Sequence, residues 1–140
     1  MRQIPETENA LVLRTDFSNE AVWEKIRALI QKPVGLFHFR ANVEFLSDTD
    51  YAEITKDQLL ELIPRNYNHN FMIIVDQLAI SQTDHPLLIV DLYEKSGREF
   101  RAVPSQIQGI ENNLSIANMD FEEFAESVDQ DGIFRGFSEI

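Results

Sequence analysis

Residues 71–91, which read FMIIVDQLAISQTDHPLLIVD, decide the fold. Two apolar runs, at residues 71–75 and 87–90, each end directly before an aspartate, and neither alternates between polar and apolar residues. Strands that are covered on both faces have such nearly continuous apolar sequences, whereas half-exposed strands alternate. The two runs therefore predict central β-strands with packed structure on both sides.

Upstream of these runs, strand and helix patterns alternate. Residues 10–16 are a short apolar run that ends in a charge, and they predict a first strand. A helix follows, which Ser18 can cap and Pro33 ends. Residues 37–45 alternate between apolar and polar side chains, which predicts a half-buried strand toward an edge of the sheet.

A second helix is predicted from about residue 55 to residue 63. Thr55 and Gln58 have the spacing of a capping box, in which each side chain bonds the backbone N–H of the other residue. Pro64 follows directly and cannot continue the helix. The polar segment 65–70 then predicts a loop before the first central strand.

Downstream of the central runs, the sequence predicts a hairpin and two helices. The chain turns at residues 95–97 and returns as a strand at 99–103. Ser105 and Gln108 have capping-box spacing, and Asn112 or Asn113 is a candidate to end that helix in the left-handed conformation. A last helix is predicted to begin near Asp120.

The resulting order is β-α-β-α-β-β-β-α-α. It predicts a fold between the α/β and α+β classes, with four helices packed on a mixed sheet of about five strands. The length of 140 residues and the hydrophobic fraction of 44% suit one hydrophobic core. We therefore expect a single acidic globular domain over residues 1–140.

The composition argues against several classes of protein. There is no Cys, which removes disulfides, thiol nucleophiles and cysteine zinc sites. No stretch approaches the roughly 20 apolar residues of a membrane-spanning helix, and the amino terminus has no apolar signal segment. These features predict a cytoplasmic protein without membrane contact.

The net charge of −12 is concentrated in the second half of the chain. Residues 71–140 carry 13 acids and 4 bases, against 11 acids and 8 bases in residues 1–70. Such a surface repels the phosphate backbone of nucleic acids, so we expect no nucleic-acid binding. A partner that binds this half of the chain is expected to be basic.

Three aspartates each follow an apolar strand: Asp16, Asp76 and Asp91. Carboxylates at the carboxyl ends of neighbouring parallel strands can converge on Mg²⁺ or another hard cation, so these residues are the candidate metal ligands. An antiparallel strand before Asp91 would place that residue at the opposite edge. The alternative is that the three aspartates stabilise loops and turns.

A partner-binding surface is predicted around the last two helices and the tail. Polar side chains crowd the segment between the helices, and the tail combines aromatic residues and Arg with acids, which is typical of interaction sites. The alternatives are that these polar groups cap helix ends and that the tail docks on its own sheet. The candidates are Asn112, Asn113, Asn118, Asp120, Asp129, Asp131, Phe134 and Arg135.

The sequence is similar to a known family in several segments. They are residues 10–17 (ALVLRTDF), 85–93 (HPLLIVDLY), 110–121 (IENNLSIANMDF) and 131–137 (DGIFRGF). Together they resemble a family of small bacterial proteins catalogued as a domain of unknown function. The resemblance implies a complete domain, and it implies no activity, cofactor or site residue.

No motif for nucleotide binding or nucleophilic catalysis occurs, and the five glycines are dispersed. The leading hypothesis is therefore a non-catalytic binding module, such as an acidic inhibitor or immunity-type protein that masks a basic partner. No cofactor is predicted. One alternative is a metal-dependent enzyme that uses the strand-end aspartates, and another is a homo-oligomeric structural component.

Overall fold

Strands and helices alternate along the first half of the chain, and the second half adds antiparallel strands. The computed structural model describes residues 2–137. Within them lie six strands: β1 (Ala10–Arg14), β2 (Val43–Leu46), β3 (Phe71–Val75), β4 (Leu87–Asp91), β5 (Glu99–Ala102) and β6 (Ile133–Phe134). The same residues form five α-helices: α1 (Glu20–Gln31), α2 (Lys56–Glu61), α3 (Gln77–Ser81), α4 (Ile107–Ser115) and α5 (Phe121–Ala125).

All six strands form one mixed sheet in the order β2-β1-β3-β4-β5-β6. β1 is parallel to β2 and β3, β4 is antiparallel to both of its neighbours, and β6 is parallel to β5. Five strands therefore end at one edge of the sheet, which we call the upper edge. β4 runs the other way, so it starts at the upper edge and ends at the opposite, lower edge.

Both faces of the sheet are covered, as the two central runs predict. Every residue of β3 and β4 is buried. One face packs against α1, α3, α4 and α5, through residues such as Ile26 and Ile110. The other face packs against α2 and the turn at Thr49–Tyr51, through Leu59 and Tyr51. The fold is thus a three-layer α/β arrangement with one hydrophobic core on each face.

The strand predicted at residues 37–45 is mostly wrong. Only its end, from Val43, belongs to β2, and the preceding residues form an exposed loop that a bridge between Val34 and Phe39 closes. The pairing explains the difference, because Ala10 at the start of β1 lies opposite Val43. Residues before Val43 therefore have no neighbouring strand to pair with, although their sequence alternates.

Local signals predicted several helix starts correctly. The capping box at Thr55 is formed, the last helix begins directly after Asp120, and the hairpin of β4 and β5 is present. The first helix is capped by Asn19 instead of Ser18, because the Ser18 hydroxyl donates to the Asp16 carboxylate, at 2.5 Å.

Two details around α3 and α4 differ from prediction. The short helix α3 follows β3 directly, with Asp76 as its N-cap, and the sequence pattern did not indicate it. The Ser105 capping box is absent, because a 3₁₀ turn at Pro104–Gln106 precedes α4. The helix continues past Asn113 to bury Leu114, and Ala117 adopts the left-handed conformation, with φ of 55°.

The tail docks on the sheet, as one of the two alternatives predicted. Ile133 and Phe134 pair with Arg101 and Ala102 and are buried. Among residues 2–137, no helix is both long enough and apolar enough to cross a membrane.

Candidate functional site

The three candidate metal ligands do not come together. Asp16 and Asp76 follow β1 and β3 and lie at the upper edge, whereas Asp91 ends the antiparallel β4. Asp91 pairs in register with Phe71, the first residue of β3, so it lies at the lower edge. The predicted set of three aspartates is therefore wrong as a single site, and the direction of β4 is the reason.

Asp16 and Asp76 flank the position at which ligands commonly bind in open α/β sheets. From β1 the chain crosses to β2 on one side and later to β3 on the other, so a crevice opens outside the carboxyl ends of β1 and β3. Here this crevice has a volume of about 630 Å³, and Thr15, Glu53 and Gln77 also line it.

Both aspartates of this crevice already have partners. Arg101 binds Asp76 with two parallel hydrogen bonds, Nη1 to Oδ1 at 2.9 Å and Nη2 to Oδ2 at 2.7 Å. Asp76 also accepts from the backbone N–H of Ala79 at the start of α3. Asp16 accepts from the backbone N–H and the hydroxyl of Ser18. In the described part of the chain, no group of three His, Asp or Glu side chains could hold a metal ion.

The sequence does not predict the role of Arg101, because that role depends on strand register. Arg101 lies on β5 between the buried residues Phe100 and Ala102, opposite Leu88 of β4. That register brings its guanidinium to Asp76 across the intervening strand. An Arg between two apolar residues of a predicted strand was the available signal, but nothing local identifies its partner.

A cleft of about 380 Å³ opens at the lower edge, between the α4–α5 turn and the β4–β5 turn. We call it the α4–α5 cleft. Its apolar lining comes from Leu114, Ala117, Met119 and Phe121, and its polar lining from Asn70, Asp91, Tyr93, Arg98, Asp120 and Glu122. This cleft lies within the acid-rich second half of the chain.

Asp91 is buried in the wall of this cleft, where it organises the β4–β5 turn. Its carboxylate accepts from Arg98 Nε at 3.0 Å, Arg98 Nη2 at 2.6 Å, the Ser96 hydroxyl at 2.8 Å and the Tyr93 backbone N–H at 3.1 Å. Arg98 also pairs with Glu122 and lies over the ring of Phe121, 5.6 Å from its centroid. Asp91 therefore holds Arg98 in place in the cleft wall. For this residue the structure agrees with the alternative that the aspartates stabilise loops and turns.

The polar residues predicted between the last two helices have different environments. Asn113 donates to the Gly109 carbonyl at 2.8 Å and accepts from Asn118 at 2.8 Å, so these two side chains stabilise the end of α4. Asp120 caps α5 and also lines the α4–α5 cleft. Asn112 is exposed and lines a second cleft.

This second cleft, of about 450 Å³, is rich in side-chain amides. Buried Glu111 lies in its wall and accepts from the backbone N–H of Asn42 at 2.7 Å. Asn70 belongs to both clefts and donates to the Leu114 carbonyl at 3.2 Å. The sequence does not predict that Asn42 and Asn70 belong to a site, because they come from loops far apart in the chain.

The tail residues are engaged within the molecule. Phe134 is 1% exposed, so its prediction as a partner-binding residue is wrong: β6 buries it in the core. Arg135 binds Asp84 at 2.9 Å, Asp129 at 2.9 Å and Asp131 at 2.8 Å. The hydrogen bonds from Arg135 lower the pKa of Asp131, and the three carboxylates raise the pKa of Arg135. Asp129 and Asp131 are thus already paired with a cation.

The sequence matches a protein family over residues 9–137. The family is described as Domain of unknown function (DUF6924). This match covers almost all of the chain and establishes the family to which the chain belongs. No curated protein matches the sequence significantly.

Proposed function

We propose that this chain, which belongs to the DUF6924 family, is a non-catalytic binding module that takes a basic, partly apolar segment of a protein partner into its α4–α5 cleft. The observation that carries the proposal is the combination of an apolar floor with an acidic rim in one cleft of the acid-rich half. A cavity of this kind binds a side chain through its apolar part and orients it through a few polar groups.

The floor of the cleft suits an aliphatic or aromatic group. Leu114 and Phe121 are part of the hydrophobic core, and Met119 packs against that core while it remains partly exposed. Met is flexible and polarisable, so it adapts to differently shaped apolar partners. An apolar side chain that entered the cleft would remove water chiefly from Met119, because Leu114 and Phe121 are already buried.

The rim favours a cation. Asp91, Asp120 and Glu122 line the cleft, and Arg98, which pairs with Asp91 and Glu122, is the one basic residue among the lining side chains that the structure describes. Glu123 and Glu126 are exposed on and just after α5 and form no ion pair within the described part of the chain. This excess of acid would speed the association with a basic segment, and that association would weaken as salt screens the charges.

A metal-dependent activity at the upper edge is the weaker alternative. Asp16 and Asp76 do share the crevice there, but Arg101 already occupies both oxygens of the Asp76 carboxylate. A cation at Asp76 would have to displace this guanidinium.

Selection from a random peptide library on the purified chain tests the binding proposal. We expect the enriched peptides to combine Arg or Lys with a Phe, Leu or Met. The double variant D120N/E122Q should weaken their binding about tenfold at low salt, because each rim charge contributes about 0.7 kcal/mol. Asn and Gln preserve the shapes of the two side chains.

The matched control is D57N/E61Q, which removes two exposed acids on α2, on the other face of the sheet. It changes the net charge by the same amount and should leave peptide affinity unchanged. Equal weakening by both double variants would show that only overall charge matters. That result, or a selection that enriches no basic-apolar peptide, would refute the cleft as the binding site.

A further inference from the structure

We propose that the exposed loop at residues 34–40, here called the apolar loop, docks in the α4–α5 cleft of a second copy of this chain. The copies would then associate head to tail. This inference deepens the proposed function, because it identifies one basic-apolar segment that the cleft takes. Its test below separates its own failure from a failure of that function.

The apolar loop presents large hydrophobic side chains to solvent. Leu36 is 93% exposed, Phe37 is 80% exposed and Phe39 is 55% exposed. The backbones of Val34 and Phe39 hold the loop closed with two hydrogen bonds, of 2.8 and 2.9 Å. A cluster of exposed apolar groups on a closed loop is typical of an interaction site, because leaving them in water is unfavourable.

The apolar loop is also the centre of a basic segment in an acidic protein. Residues 25–43 contain no Asp or Glu, and they carry four of the twelve Lys and Arg residues. Lys32 and Arg40 flank the loop, are exposed and form no ion pair with any side chain of residues 2–137 that the structure describes. The loop thus has both properties that the α4–α5 cleft would select: apolar groups and unpaired positive charge.

The apolar loop and the cleft of one molecule lie apart in the structure, and none of the described residues that line the cleft belongs to the loop. The loop leads into β2 at one end of the sheet, whereas the cleft lies beside the turn of β4 and β5. β1 and β3 separate β2 from β4, which places these strands three spacings, roughly 14 Å, apart. With the loop and the cleft placed as in the structure, the contact joins two molecules through different surfaces, and such contacts build chains or rings.

Charge complementarity selects this arrangement over a symmetric contact of loop with loop. A symmetric contact would bring Lys32 and Arg40 of one molecule against the same residues of its partner, which is repulsive. In the head-to-tail contact these cations meet Asp120 and Glu122 of the α4–α5 cleft. Phe37 would fill the apolar floor, which its 380 Å³ volume can accommodate.

Sedimentation velocity over a concentration series tests the proposal. We expect the average mass of the wild-type chain to rise with concentration. Phe37→Ser removes the central apolar group of the loop and should weaken association roughly 30-fold, the effect of removing an interface hot spot. Leu78→Ser is the matched control, because Leu78 is 41% exposed at the upper edge and should not affect association.

Mixing two variants distinguishes the head-to-tail contact from others. The F37S chain keeps an intact cleft, and the D120N/E122Q chain keeps an intact loop. At concentrations where the wild-type chain begins to associate, each variant alone should be mostly monomeric, whereas an equimolar mixture should form a dimer and nothing larger. Unfolding curves that match wild type would show that both variants fold.

The inference would be overturned by a wild-type chain that remains monomeric up to about 1 mM, by assembly of F37S as strong as that of the wild-type chain, or by a mixture that stays monomeric. The inference would also be overturned if the wild-type chain bound anionic phospholipid vesicles and did not self-associate. The apolar loop would then be a lipid-binding segment. If F37S still binds the selected basic peptides, the proposed function survives such a failure. If neither peptides nor a second copy binds the cleft, both fail.

Discussion

Replacing Phe134 with Ala tests whether the tail is part of the fold or part of a partner site. Phe134 is 1% exposed and lies between the rings of Phe124 and Phe137, at centroid distances of 5.3 and 5.0 Å. The substitution removes roughly 150 Å² of buried apolar surface, which at about 25 cal/mol per Å² corresponds to about 4 kcal/mol. This value agrees with the roughly 3–5 kcal/mol typical of buried Phe→Ala changes.

Urea unfolding monitored by the fluorescence of Trp23 measures this loss. Trp23 is the only Trp in the sequence and is buried in the same core cluster as Phe134. The matched control is Phe37→Ala, the same change at an exposed site, which should alter the free energy of unfolding by less than about 0.5 kcal/mol.

A loss below about 1.5 kcal/mol for Phe134→Ala would refute the reasoning. It would mean that β6 is not docked on β5 in solution, because removing a ring that is packed in the core lowers the free energy of unfolding by more than this. Phe134 would then again be a candidate partner-binding residue.

Two further predictions concern ionisable groups. Burial raises the pKa of Tyr67 from 10.0 to about 12, so the folded chain holds this proton more tightly than the unfolded chain does. Stability should therefore fall between pH 10 and 12, by about 2 kcal/mol or less. The Tyr67 hydroxyl is buried and has no hydrogen-bond partner among residues 2–137, so Tyr67→Phe should stabilise the chain by about 1 kcal/mol at pH 7 and flatten the alkaline decline in pH-dependent unfolding. An unchanged alkaline decline would contradict this assignment. The second prediction is that the pKa of the Asp131 carboxyl, measured by NMR, lies below 3.8 because Arg135 donates hydrogen bonds to it. This pKa should return toward 3.8 in Arg135→Met but not in the control Lys32→Met. The contribution of this carboxyl to stability is present above pH 3.8 and is lost as the pH falls through the lowered pKa; an unshifted value in the wild-type chain would contradict the pairing.

The sequence alone determined the elements whose cause is local. The apolar runs around Ile73 and Ile89 predict central strands because burial on both faces requires apolar side chains at successive positions. The capping box at Thr55 was predicted because both of its hydrogen bonds join residues three positions apart. Asp120 was identified as a site candidate because polar side chains crowd the segment between the last two helices, and it does line the α4–α5 cleft.

Only the tertiary structure decided strand direction, register and which polar groups meet. An apolar run does not show in which direction its strand runs within the sheet. Asp91 lies at the lower edge because β4 pairs antiparallel with β3. Register across β4 and β5 joins Arg101 to Asp76, although 25 positions separate them. The loop at Phe37 lacks a strand partner because β1 begins opposite Val43. These outcomes depend on hydrogen bonds between distant backbone segments, and the pattern of side chains within one segment carries no information about its neighbours.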